Sequence, residues 1–292
     1  MKKILIAGGT GLIGKALTSC LLKQKNHITI VTRQEKLIGQ DGRNLEYINN
    51  ISERNFDYDI VINLTGETIA QRWSESVKKR ITDSRINSTK EIIKAIKNSP
   101  NKPELFINSS AIGIYGISAD LEFNENSKPK NLGIFSQNLC QQIEKESAEI
   151  DPQTRLVILR TGVVISKEGG FLKKMLLPFQ LGLGGKIGSG EQFLSWIHID
   201  DVVNSINFII TTPELSGAIN LSAPNPTTNY DFAKKLAKKL KRPCLFHMPE
   251  FIAKLAFGKM GEELILSGQK VTPKKLIESG YHFKYNSIEK AL

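Results

Sequence analysis

The sequence predicts an α/β protein: a Rossmann-type doubly wound parallel sheet with a small C-terminal lobe over its edge. Three observations carry that prediction. The apolar run KKILIAGG passes straight into a glycine turn, GGTGLIG, at residues 8–14. Strand-like and helix-like segments then alternate as far as residue 165, which implies parallel strands joined by crossover helices. Past residue 165 the alternation gives way to glycine-rich and mixed segments, which suits a covering lobe.

The elements follow in order. Residues 2–9 form a buried first strand. LIGKALTSCLLKQ (12–24) sets Ile13, Leu17 and Leu21 at helical spacing. HITIVTR (27–33) is a second strand, LEYINN (45–50) a third and YDIVINLTG (58–66) a fourth. Residues 74–98 form a long helix with Val77, Ile81, Ile92 and Ile96 at helical spacing, stopped by SPNKP. ELFINSS (104–110) is the fifth strand, 135–150 a helix and TRLVILRTGVVI (154–165) a sixth strand. GLGGKIGSGEQ (182–192) is a glycine-rich loop region. HIDDVVNSINFIITT (198–212) is a helix capped by Asp200 and Asp201. GAINLSAPNP (217–226) is a late strand and turn. The expected division is a dinucleotide-binding domain, 1–165 with 199–222, and a substrate-covering lobe, 166–198 with 223–292.

Composition narrows the function classes. Hydrophobic residues make up 40% of 292, enough for a sizeable core. The apolar runs are too short to span a membrane. MKKILIAGG imitates the start of a signal peptide, but its apolar run stops at Gly8 and no cleavage pattern follows, so a cytoplasmic protein is expected. Cys20, Cys140 and Cys244 are far apart, and the four histidines lack ligand spacing; neither a disulfide framework nor a metal site is expected. The net charge is +11, yet the lysines are scattered over helix faces without interleaved aromatics, so no nucleic-acid partner is expected.

The glycine turn reads as a phosphate site. Gly8 permits the tight turn, Gly11 a close backbone approach, and Gly14 close helix–strand packing. With Thr10, Leu12 and Ile13 they are the expected cofactor contacts, at a helix N-terminus that supplies free N–H groups. An acid at the end of the second strand would hold the ribose of NAD. This chain has Thr32 and Arg33 there, and a guanidinium suits a 2′-phosphate, so NADP is the expected cofactor. The other reading of Arg33 is a surface arginine. Asn63, Leu64, Thr65 and Gly66 end the fourth strand and let a dinucleotide cross the carboxyl edge of the sheet. SSAIGIYG (109–116) ends the fifth strand on the same edge, where the nicotinamide belongs.

The chain resembles the extended short-chain dehydrogenase/reductases, in the turn, in SSAIGIYG and in WIHIDDVV. More narrowly it resembles their epimerase-family branch, with the C-terminal domain of unknown function typical of it. That match rests on NLTGETIAQRW (63–73), ITDSR (81–85), GSGEQFLSWIHIDD (188–201) and the tail 265–292. The resemblance implies NADP-dependent oxidoreductase or epimerase chemistry on a small molecule. It also implies an acid–base tyrosine and a lysine four residues later, about twenty residues beyond YG. One register puts Phe135 and Leu139 there and the other Ser136 and Cys140; neither supplies a phenol or an ammonium. That absence keeps a second reading open, a non-catalytic NADP(H) sensor. Ser110 and Tyr115 are the remaining catalytic candidates. Tyr115 either donates a proton or packs on cofactor and substrate. Glu67, Arg72, Trp73 and Arg85 either line the substrate cavity, with an arginine gripping an anion, or form a surface ion pair and a helix-terminal carboxylate. Gln192, Trp196 and His198 fall in the segment that faces substrate in the relatives. Cys140 has no sequence neighbour to stabilise a thiolate and is expected buried.

Overall fold

The computed structural model describes residues 1–40, 42–51 and 56–292. Its central sheet holds β1 (Lys3–Ala7), β2 (His27–Val31), β3 (Leu45–Ile48), β4 (Ile60–Asn63), β5 (Leu105–Ala111), β7 (Arg155–Thr161) and β12 (Gly217–Leu221). The order is β12-β7-β5-β4-β1-β2-β3 and every neighbouring pair is parallel. The chain reverses its direction of winding between β1 and β4. In open α/β sheets that is where the crevice for a ligand opens.

Alternation along the strands feeds two apolar layers. Ile4 and Ile6 of β1 face α1 (Leu12–Lys23) and α5 (Ile199–Thr211), which bring Leu17, Leu21, Val202 and Ile206. Leu5, with Val61 and Phe106, faces α2 (Glu75–Asn98), which brings Ile92, Ile93 and Ile96. α3 (Phe135–Ser147) packs beside α2. Ser74 caps α2, its hydroxyl accepting from the Val77 N–H.

The sixth strand is not continuous. It breaks at Gly162, where a Cβ would stand 2.6 Å from the Ser195 carbonyl oxygen. Beyond the break, β8 (Val163–Ile165) leaves the sheet and pairs in parallel with β11 (Trp196–His198). The glycine-rich loop region also contains a strand, β9 (Gly185–Ile187), paired with β14 (Phe246–Met248). Two further pairs are β10 (Phe193–Leu194) with β13 (Thr227–Thr228), and β6 (Glu122–Phe123) with β15 (Lys270–Val271).

A second core gathers Trp196 and Phe179 with Phe232 and Leu236. It lies between α4 (Gly170–Gln180) and α6 (Asn229–Leu240), and α9 (Ile288–Ala291) packs on it. α7 (Glu250–Leu264) kinks at Gly258, φ 58° and ψ −145°, and α8 (Lys274–Glu278) packs by β12. No helix among the described residues is long and apolar enough to cross a membrane.

Candidate functional site

The turn after β1 is held by contacts that exclude side chains. Gly8 has φ +80°, and a Cβ there would lie 2.7 Å from the Leu64 backbone. A Cβ on Gly14 would lie 2.4 Å from the Gly8 oxygen. Gly11 differs: its nearest neighbour would be the Gly8 oxygen at 3.4 Å, so the protein itself leaves room there. Gly11 is the N-cap of α1, no side chain caps this helix, and no acid lies in its first turn. The unpaired N–H groups and the positive dipole end therefore face an opening with no acidic side chain in its lining among the described residues.

That opening is a cavity of about 270 Å³ lined by Gly8, Gly11, Ile13, Leu64 and Ser109, among others. A larger cavity of about 410 Å³ adjoins it, and Ile13, Leu64, Gly66, Ser109 and Thr161 line both. Together they run from the glycine turn across the ends of β4 and β5. Thr65 also lines the larger cavity, whereas Asn63 is buried beneath it. Asn63 donates to Asn108 Oδ1 (2.8 Å) and accepts from the Thr65 N–H (3.1 Å), so it shapes the strand end from below. At the end of β2, Thr32 is buried and Arg33 exposed, with no ion pair among the described residues.

The larger cavity joins distant residues. Arg85 enters from α2, its guanidinium packed on Gly66, where a Cβ would stand 2.7 Å from Cζ. It donates to the carbonyls of Ile81 (3.0 Å) and Glu67 (3.0 Å) and forms no ion pair among the described residues. Burial lowers its pKa. A guanidinium in a cavity wall without a paired carboxylate favours an anionic ligand. Ser136 and Cys140 both line the wall. Of the other register, Leu139 reaches the cavity while Phe135 packs on Trp73, ring centroids 4.8 Å apart. Burial pushes the Cys140 thiol up to about 11, which keeps it neutral.

Ser110 also lines the cavity and donates to Glu144 Oε1 (3.1 Å). Arg160 grips Glu144 through Nε (2.9 Å) and Nη2 (2.7 Å), a bidentate pair largely shielded from water. Burial works against the Arg160 cation, but the Glu144 hydrogen bonds and charge outweigh it and raise its pKa. Arg160 also donates to Tyr115 Oη (2.9 Å), which in turn donates to Asn220 Oδ1 (2.8 Å). Tyr115, expected beside cofactor and substrate, is instead buried, stacked on Phe123, and lines neither cavity. Burial raises its pKa, with Arg160 opposing.

Other candidates lie outside the cavity wall. Trp196 is fully buried in the second core, its N–H given to the Asn225 carbonyl (3.2 Å), so it has no face for a ligand. Trp73 is buried and donates to the Ile69 carbonyl (3.0 Å). Glu67 and the exposed Arg72 flank the entrance of α2. Gln192 donates to the carbonyls of Ile187 (3.0 Å) and Ile265 (2.9 Å), tying β9 to the end of α7. His198, rather than an aspartate, caps α5: its Nδ1 accepts from the Asp200 N–H (3.1 Å). Asp201 instead accepts from the backbone N–H groups of Lys284 and Tyr285 and anchors the tail.

Two features had no signal in the sequence. The Glu144–Arg160 pair depends on α3 crossing β7. Glu263 enters the larger cavity from α7 and accepts from the Ser136 N–H (2.9 Å) and Oγ (2.8 Å). Its local sequence, KMGEEL, is an ordinary helical one.

A parallel sheet with a glycine turn at its switch point and a cavity across the next strand ends defines a dinucleotide-binding protein of the Rossmann class. The NAD-dependent epimerase/dehydratase family model matches residues 4–222, and a domain of unknown function, DUF1731, matches 248–292. The chain is 37% identical to epimerase family protein YfhF of Bacillus subtilis, covering 99% of this chain and 96% of that one. It is 35% identical to epimerase family protein SDR39U1 of mouse, over 99% and 98%. The crystal structure of human SDR39U1 with NADPH superposes at a TM-score of 0.91, with 32% identity over 99% of this chain and 97% of that one. The chain belongs to the NAD-dependent epimerase/dehydratase family.

Proposed function

We propose that this protein is an NADP(H)-dependent oxidoreductase or epimerase of the short-chain dehydrogenase/reductase type, acting on a small anionic molecule. The observation that carries this reading is the pair of adjoining cavities, one at an uncapped helix N-terminus and one walled by Arg85 and Ser110. The fit to a dinucleotide is specific: Gly11 leaves open the space a pyrophosphate needs, and α1 offers unpaired N–H groups there. Residues of the turn would hold the pyrophosphate, Arg33 the 2′-phosphate, and Leu64 to Gly66 the strand-end passage. The dinucleotide would supply a hydride donor or acceptor. The NADPH in the human relative supports the choice of NADP over NAD.

Ser110 has its own proton directed to Glu144, so its oxygen would accept from a substrate hydroxyl rather than donate to it. Arg85 would hold the anionic end. The segments 166–198 and 223–292 would cover the substrate. The second reading, an NADP(H) sensor without turnover, draws on a cavity wall that contains neither tyrosine nor lysine among the described residues. The larger cavity favours the enzyme, since a sensor has no need of space beside its nicotinamide.

The test is calorimetry with both cofactors and a structure of protein purified from cells. NADPH is expected to bind tighter than NADH. Arg33→Ala is expected to weaken NADPH more than tenfold, since a charge-assisted contact contributes about 1.5–3 kcal/mol. Equal affinities in the parent protein would count against NADP. Residual density beside Arg85 would support the enzyme; a dry cavity in the cofactor complex would support the sensor.

A further inference from the structure

The larger cavity holds few groups that can exchange a proton. Among the described residues that line it, Arg85, Cys140 and Glu263 are the ionisable ones. A guanidinium stays charged. The Cys140 thiol stays protonated in its apolar surroundings. Tyr115 is turned toward Arg160 and Asn220, and Glu144 is shielded behind Ser110 and engaged by Arg160. Glu263 remains.

Its geometry suits the task. Oε2 accepts from the N–H and the hydroxyl of Ser136, and Oε1 accepts from the Phe135 N–H at 3.3 Å. A carboxylate has about four lone-pair sites, so three donors leave one for a ligand. The segment that carries Glu263 is pinned. The Ile265 carbonyl receives the Gln192 amide, Gln269 donates to the Ile112 carbonyl (3.0 Å), and Ser195 donates to the Gln269 carbonyl (2.8 Å). A base held on so fixed a support is pre-organised for proton transfer.

We propose that Glu263 is the proton-exchanging carboxylate of this cavity, acting on a small secondary alcohol, or the matching carbonyl, whose anionic end pairs with Arg85. The assignment rests on the enzymatic reading above. In the oxidative direction the substrate O–H bond breaks and its proton passes to Glu263. The hydride of the adjacent C–H leaves to an oxidised nicotinamide dinucleotide, and the carbon–oxygen double bond remains. The reverse direction consumes one proton from Glu263 and one hydride from the reduced dinucleotide. Other charged or titratable groups near Glu263 are Arg85 and Cys140 in the same wall, Lys78 over the Phe135 ring, and Glu262, which is paired with Lys259.

The experiment compares the parent protein, E263Q and Arg85→Met. Each is loaded with NADP⁺ and offered lactate, malate and glycerol phosphate. Melting temperature, NADPH affinity and calorimetric binding of each probe are measured beside NADPH formation across acid to alkaline pH. E263Q keeps an amide oxygen for Ser136 but leaves the Phe135 N–H without its acceptor, so it is expected to melt only slightly below the parent, bind NADPH within about twofold, and still bind the probe that the parent turns over. Its turnover should fall at least about a hundredfold, the usual contribution of a positioned general base. The acid-side fall in rate seen in the parent should vanish. Arg85→Met should instead lose probe binding. Turnover by E263Q within about threefold of the parent, or an unchanged acid limb, overturns the assignment. An E263Q protein that melts early is replaced by Glu263→Asp, which must keep the acid limb. No turnover of any probe by an NADPH-binding parent withdraws the enzymatic reading, and this assignment with it.

Discussion

The cavity at the glycine turn and the larger cavity share five lining residues, yet the turn and the larger cavity's wall are assembled in opposite ways. The turn is seven consecutive residues, shaped by contacts within itself and with the end of β4. The cavity wall takes Arg85 from α2, Ser110 from β5, Cys140 from α3 and Glu263 from α7. A local device carries its own signature in the order of its residues. A composite one exists only after the chain has folded, so its residues look ordinary in sequence.

The sharpest way to break this comparison lies within the turn itself. Gly14→Val would force a Cβ to within 2.4 Å of the Gly8 oxygen and 2.6 Å of Gly9 Cα. It should cost about 2–3 kcal/mol of stability and also lose NADPH. The Cβ of Gly11→Val meets nothing among the described residues closer than 3.4 Å. Valine is a poorer N-cap than glycine, so the variant should lose about 1 kcal/mol, less than Gly14→Val, and still lose NADPH at least about a hundredfold, because a ligand would contest that space. Denaturant melts and calorimetry separate the two effects. Normal NADPH binding by a folded Gly11→Val protein would remove the turn as the phosphate site.

The composite region should fail differently. Glu144→Gln leaves Arg160 buried without its carboxylate, and that pair is only 13% and 15% exposed. A stability loss of about 3 kcal/mol is expected, with NADPH affinity nearly unchanged. Urea unfolding and NADPH titration of the same sample check both. A loss of affinity larger than the loss of stability would mean that the wall and the turn are one unit.

This contrast explains how much was legible in the sequence. Strands β1 to β5 and helices α1 to α3 followed from periodicity and from the residues that stop each run. The break at Gly162 did not, because the partner that Val163 takes there is the Ser195 carbonyl, far along the chain. Tyr115 was legible as a residue at a strand end, but not the direction of its phenol. That is set by Arg160 on β7 and Asn220 on β12, and neither register can be read from SSAIGIYG. Trp196 shows the same limit: it was placed on the substrate-facing segment, and its burial in the second core depends on α4 and α6, which its own segment does not show. Glu263 gave no sign because its partners, Phe135 and Ser136, precede it by more than a hundred residues.

A smaller effect separates the cavity from what lies behind it. Tyr115→Phe keeps the stacked ring and removes the hydroxyl between Arg160 and Asn220. It should cost about 1–2 kcal/mol, leave NADPH affinity intact and keep any turnover within about tenfold. Tyr115→Ala should cost more, since it opens a void in the core. A thousandfold fall in turnover for the Phe variant, with NADPH binding unchanged, would return the phenol to the chemistry.

The smallest expected effect concerns His198, a residue that looked functional and is a helix cap. Its Nδ1 accepts from the Asp200 N–H, so the proton of the neutral ring sits on Nε2. Protonating Nδ1 would set two N–H groups against each other and abolish the cap. The ring also lies 3.8 Å from the Tyr285 ring. Burial holds the pKa of His198 below its ordinary 6.5, against the pull of Asp200 and Asp201 and with the help of Lys284 and Lys167. Below that value the unfolded chain binds a proton that the folded one resists, so stability falls as the pH drops through it. The contribution is fully present above the unfolded value and is lost progressively toward the lower folded one. Asparagine caps helices as well but does not titrate. His198→Asn should therefore lose the ring's contact with Tyr285 at every pH but keep a cap that does not titrate. In mildly acid buffer the parent should lose about 1–2 °C more in melting temperature than the variant does. Parallel melting curves from neutral to mildly acid buffer would show that the ring does not serve as a neutral cap.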